Sequence, residues 1–191
     1  MVAPTDATDA KLRWTSADLA LFPDTGDRYE IIDGDLYVTR APHWRHQDVI
    51  TNISTPLAVW AKQHKQGKVL ATPGFVFAND DNVIPDLVWV SNGTLENCVD
   101  EAGHFTAAPE LAVEVVSKAT KDVLRDRQIK LKLYSRVGVR EYWIVDWQQQ
   151  TVEIFRRSQA RLELVATLFA EGELMSPLFE GFAIAVADIF S

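Results

Sequence analysis

Two carboxylates stand in stretches that are otherwise apolar. Asp86 follows Pro85 at the mouth of Ile84-Pro85-Asp86-Leu87-Val88-Trp89-Val90, and Glu114 lies inside Leu111-Ala112-Val113-Glu114-Val115-Val116. Both runs are too short for helices and rich in β-branched and aromatic residues, which is the pattern of buried strands in one sheet. An ionised carboxylate loses its hydration there, so Asp and Glu are seldom fully buried unless they are paired or hold a metal. If the strands are neighbours, the two acids converge on one cation. The competing reading is a structural or interaction protein, whose buried acids are satisfied by internal Lys or Arg partners.

Other side chains are open to two readings each. Glu30 alternates with Tyr29 and Ile31, so it is either the solvent-facing residue of a half-buried strand or a third acid near the cation. Arg45 and His46 stand at the start of a helix, where free N–H groups favour a phosphate; a lone His in that place is otherwise an exposed helix-start residue. Lys130 follows Asp126 by four residues in the acid-then-base order, a surface pair worth about a few tenths of a kcal/mol. Neither Cys98 nor any Ser sits in a recognisable nucleophile motif.

The elements that must position these groups follow from pattern and punctuation. Residues 1 to 11 read as a flexible tail, and 12 to 191 as a single domain. A short helix from Trp14 to Phe22 is closed by Pro23. Asp33-Gly34 between two apolar runs predicts a hairpin with a type I′ turn. Val49, Ile53, Leu57, Trp60 and Ala61 recur at helical spacing up to about Lys65, with Gly67 beyond. Strand segments follow at Lys68–Pro73 and Gly74–Ala78, with Asn79 to Asn82 as a hairpin turn. The stretch from 91 to 108 reads as a connection holding a short helix around Leu95 to Cys98. Ser117 to Val137 reads as one long helix ended by Gly138, carrying Lys118, Lys121, Arg125, Arg127, Lys130, Lys132 and Arg136 against Asp122 and Asp126. That places a positive field beside the acids. Arg140–Asp146 and Thr151–Arg156 form a further hairpin, and strands near Leu162–Leu168 and a segment from Phe182 to Ile189 close the chain. The aromatic last third, with Trp143 and Trp147, fits either core packing or a homodimer surface.

Composition narrows the classes. A net charge of −8 argues against a protein that coats nucleic acid by bulk attraction. No run of about 18 apolar residues is present, and the first residues lack both a basic and an apolar segment, so neither a membrane span nor a signal peptide is expected. With Cys98 as the lone cysteine, an intrachain disulfide and a Cys-based zinc site are excluded, which suits a cytoplasmic protein.

Taken in order, Tyr29-Glu30-Ile31-Ile32-Asp33-Gly34, Arg45-His46-Gln47, Pro85-Asp86-Leu87, Val113-Glu114-Val115-Val116-Ser117, Lys130 through Tyr134, and Gly138 through Asp146 resemble the Uma-two family. That family is a branch of the PD-(D/E)XK restriction-endonuclease-like nucleases. The resemblance runs from about residue 14 to the end. It implies an α/β fold, a restriction-endonuclease-like mixed β-sheet flanked by helices, with additional hairpins. It also implies a divalent metal, Mg²⁺ or Mn²⁺, held by Asp86 and Glu114, an active-site lysine at Lys130, and accessory roles for Glu30 and His46. The superfamily lysine usually stands two residues after the second acid, which here is Val116; in this branch it is moved to Lys130. The implied function is a metal-dependent DNA endonuclease, with a non-catalytic DNA-binding or regulatory module as the alternative.

Overall fold

The computed structural model describes residues 12–116 and 124–191. The expected tail and the first part of the expected long helix, with Lys118, Lys121 and Asp122, lie outside the described residues. A 3₁₀ turn at Ser16–Leu21 opens with a capping box between Thr15 and Asp18, in which the Asp18 carboxylate accepts the Thr15 amide. The chain then builds β1 (Arg28–Ile32), β2 (Asp35–Thr39), α1 (Trp44–His64), β3 (Lys68–Ala71), β4 (Phe75–Ala78), β5 (Asp81–Val83) and β6 (Leu87–Val90). It continues with α2 (Asn92–Asn97), β7 (Leu111–Val115), a π-helical turn (Arg125–Lys130), α3 (Leu131–Val137), β8 (Glu141–Asp146), β9 (Thr151–Ser158) and β10 (Arg161–Leu168). A small hairpin of β11 (Glu173–Met175) and β12 (Ala183–Ala185) and the short α4 (Val186–Ile189) complete the described chain.

The larger described sheet has the order β10-β9-β8-β7-β6-β3. It is mixed, because β7 and β8 run parallel while the neighbouring pairs run antiparallel. A second sheet, β2-β1-β5-β4, is antiparallel. This is the α/β architecture expected from the sequence. Asp33 and Gly34 take φ values of 51° and 76°, the left-handed pair that a type I′ turn needs. Helix α1 begins one turn earlier than its apolar period and ends with Lys65 in the left-handed region. Gly67 has a different role, since a Cβ there would run into the Val90 carbonyl.

The central strands are buried on both faces, and their alternation assigns each residue to a layer. Leu87, Trp89, Leu111, Val113, Val115, Trp143 and Val145 pack with α1, the β11–β12 hairpin and α4. Val88, Val90, Ala112, Val116, Tyr142 and Ile144 pack on the other side with Ile32, Val83, Leu133 and Tyr134. Asp86 has the parity of Val88, and Glu114 that of Ala112. Both acids therefore fall on the side that faces the second sheet and α3. Trp143 and Trp147, weighed above as a homodimer surface, are core residues.

Candidate active site

The register of β6 against β7 pairs Leu87 with Val113. One step further, Asp86 stands across from Glu114, and the Val115 amide donates to Asp86 Oδ2 at 2.9 Å. The Asp86 carboxylate has two more partners: Arg28 donates to Oδ1 at 2.9 Å, and His46 Nε2 lies 3.0 Å from Oδ2. Burial would raise the Asp86 pKa, but the His46 hydrogen bond and the charges of His46, Arg28 and Lys130 outweigh it and hold it well below the usual carboxylate range. His46, at the start of α1, is 4% exposed, not a solvated helix-start residue. Its Nδ1 is buried without a hydrogen-bond partner among the described residues. Such an orphan costs about 1–3 kcal/mol, and it marks a place where a ligand or water is wanted.

Glu30 is also buried, at 3%, because β1 is covered by the larger sheet and the π-helical turn instead of facing solvent. Its Oε1 accepts the Ile84 amide at 2.9 Å. Lys130 is 1% exposed, and its Nζ lies 2.9 Å from Glu30 Oε1 and 2.9 Å from Glu114 Oε1. The surface pairing of Lys130 with Asp126 is thus overturned. A π-helical turn replaces the α-helical register that would have stacked them, and it turns Arg125, Asp126 and Lys130 inward together. Wide turns of this kind are often found at functional sites. Tyr134 adds a 2.7 Å hydrogen bond to Glu114 Oε1.

The electrostatics are uneven. Burial would lower the Lys130 pKa, but Glu114, Glu30 and Asp126 outweigh it, so the ammonium keeps its proton far above neutrality. Glu114 is pushed up to about 8 by burial and by the nearby acids Asp86, Asp126 and Glu30, against the attraction of Lys130. Asp126 is pushed up to about 6, first by burial, despite Arg125 donating to its Oδ1 at 3.1 Å. Arg125 also reaches Thr39 at 2.7 Å and Glu30 at 3.8 Å.

Glu30, His46, Asp86, Glu114 and Lys130, all singled out in the sequence, line one cavity of about 590 Å³ together with Arg28, Arg125 and Asp126. Arg28 and Tyr134 received no role from sequence reasoning. Arg28 precedes Glu30 by two, the spacing of one strand face, and Tyr134 follows Lys130 by four, the spacing of one helix face. The expected positive field is weaker than composition implied. Among the described residues, Arg127 pairs with Glu153, Arg136 with Asp33 and Asp81, and Lys132 lies 3.7 Å from Asp33.

No group of three His, Cys, Asp or Glu side chains forms a ready metal site among the described residues. Two carboxylates are enough for an ion that keeps most of its water, and the donor set fits one. Glu114 is a desolvated acid short of positive charge, and Asp86 Oδ1 is shared with a partly exposed arginine. Both are conditions that a divalent cation relieves.

A family model for Uma2, described as putative restriction endonuclease, matches residues 16–187. The chain belongs to this family. A crystal structure of a putative nuclease belonging to DUF820, from Anabaena variabilis ATCC 29413, shares the Uma2 chain's fold with a TM-score of 0.74. The match covers 92% of this chain and 97% of that one at 18% identity. No curated protein matches the sequence. No described helix is long and apolar enough to cross a membrane.

Proposed function

We propose that this Uma2 protein is a metal-dependent DNA endonuclease of the PD-(D/E)XK type. Its active site would be the cavity lined by Asp86, Glu114, Lys130, Glu30 and His46. The observation that carries this reading is the buried Lys130 ammonium held between Glu30 and Glu114 beside the Asp86–His46 pair. Asp86 and Glu114 would hold Mg²⁺ or Mn²⁺, an ion that polarises a phosphate and acidifies water when bound. Lys130 cannot act as a base, because its carboxylate neighbours keep it protonated. Its role is to stabilise negative charge developing on the phosphate. Glu30, 2.9 Å from that amine, helps to fix it in place. With Nε2 turned to Asp86, the unpartnered His46 Nδ1 is the atom left to exchange a proton with substrate or water. Arg28, once displaced from Asp86 Oδ1, is free to bind a phosphate oxygen. Residues 12–191 would act as one unit in the cytoplasm.

The alternative is a nuclease-like module that binds or regulates without cutting. It draws on a specific observation: the acids already have internal cationic partners. The deciding assay uses supercoiled plasmid and single-stranded DNA with Mg²⁺ and with Mn²⁺, comparing wild type with Glu114→Gln and Lys130→Arg. Cleavage by wild type that both variants lose supports the enzyme. Wild-type protein that cuts neither substrate with either metal leaves the non-catalytic module.

A further inference from the structure

Beside the acidic cavity, the start of α1 carries a cluster of rings and one cation. His43 stacks on Trp147 with centroids 5.2 Å apart and planes at 13°, and Trp44 leans on His43 at 5.8 Å. The Arg45 guanidinium lies 5.4 Å from the Trp44 ring and 5.9 Å from that of Trp147. His43 accepts the Arg45 amide on its own Nδ1, which fixes the ring in place. Trp44, with the largest apolar side chain of any residue, is nonetheless 64% exposed. Trp147 and His43 line the acidic cavity. Trp147, Trp44 and Arg45 line a smaller one of about 200 Å³, so the two hollows meet at Trp147.

We infer that Trp44, backed by His43 and Arg45, is a stacking platform for an unpaired base of the nucleic acid whose phosphate enters the acidic cavity. An exposed indole with a guanidinium against it offers a π face and a positive charge together, the combination that holds single strands whatever their sequence. A base inside a duplex is already stacked on both faces and cannot lie on Trp44 without leaving the helix. The platform thus selects single-stranded or locally opened DNA. It rests on the nuclease reading only for the identity of the phosphate beside it.

The test separates the two. Fluorescence anisotropy in EDTA, where no cleavage occurs, is measured with a labelled oligothymidine 12-mer, an abasic backbone of equal length, and a duplex. Wild type should bind oligothymidine at least about tenfold more tightly than the abasic strand. Trp44→Ala should weaken oligothymidine by about 5- to 100-fold, the range for losing one base–aromatic stack, and leave the other two probes unchanged. Trp44→Phe should retain most of the affinity. Equal loss on all three probes, or none, overturns the platform. So does a Trp44→Ala change in sedimenting mass with oligothymidine affinity intact, which would make this face a contact between copies. Trp44-dependent binding by a protein that cuts nothing keeps the platform and overturns the nuclease; cutting with Trp44-independent binding does the reverse.

Discussion

Glu114 on β7 and Glu141 on β8 are buried to the same degree, 2% and 1% exposed, on strands that pair in parallel. At Glu141, Trp143 Nε1 donates to one oxygen at 2.7 Å and Arg156 Nε to the other at 2.8 Å. Each oxygen has its own donor, and the acid lines none of the cavities described above. At Glu114, Lys130 and Tyr134 share a single oxygen, three further acids crowd the site, and the carboxyl opens onto a cavity. Burial of an acid therefore says little about its role. What separates the two ends is whether the surrounding positive charge suffices.

The largest effect should come from Lys130→Ala, which leaves Glu30 and Glu114 facing each other. Removing one partner of a buried ion pair costs about 3–5 kcal/mol, so urea unfolding in EDTA should show a loss of that order. Mg²⁺ should restore part of it, since a cation replaces the ammonium. A loss that Mg²⁺ does not touch would make this end as purely structural as the Glu141 end.

Next comes pH. The folded Asp126 carboxyl keeps its proton up to about 6, against an ordinary value of 3.8. Between about pH 4 and 6 the folded Asp126 carboxyl binds a proton that the unfolded chain has released, so its contribution to stability falls as pH rises and levels off above that window. Glu114, pushed up to about 8, carries a further fall towards that pH. The Asp126 part is about 3 kcal/mol. Asp126→Asn keeps an oxygen for Arg125 and should flatten this dependence, making the variant more stable than wild type at pH 7.5 and equal to it near pH 4. A less stable variant at pH 7.5 would mean that the attraction of Arg125 outweighs the burial.

Arg156→Ala should cost about 1–3 kcal/mol, the range for unpairing a buried acceptor. It should cost less than Lys130→Ala, because Arg156 is 37% exposed and water can enter behind it. Mg²⁺ should not alter that loss in thermal melts; a metal-sensitive loss would erase the contrast between the two ends. Smallest is Arg28→Ala, which should raise Mg²⁺ affinity by about tenfold, or about 1.4 kcal/mol, in calorimetry. Unchanged affinity would show that Arg28 and the cation do not compete for Asp86.

Most of the strands were legible, since Asp33-Gly34 and the apolar runs around Asp86 and Glu114 carry local signals. Convergence of the two acids followed from their parity once their strands were neighbours. Two features were not legible for physical reasons. A π-helical turn leaves no periodic signature, so Lys130 looked like an ordinary surface partner of Asp126. Glu30 looked solvent-facing because alternation reports on one sheet, whereas a second layer covers β1. The excess of basic residues in the segment before Gly138 misled in another way. A count of charges does not show that Arg127, Arg136 and Arg125 each meet an acid from elsewhere in the chain.

The parallel pairing of β7 with β8 bears on how the molecule comes into being. Parallel neighbours cannot be joined by a tight turn, so the chain leaves the sheet after Val115 and returns at Glu141, and Lys130 travels on that excursion. Contacts distant in sequence form late, after their loops have closed. A nascent chain can pair β1 with β2 and have Asp86 and Glu114 in hand well before the lysine is emplaced. Until the crossover is in place Glu30 and Glu114 have no ammonium between them, whereas Asp86 already has Arg28 and His46 from earlier in the chain. The amine of the site is thus carried by the crossover itself, so the parallel pairing of β7 with β8 and the Glu30–Lys130–Glu114 bridge depend on one segment of the chain.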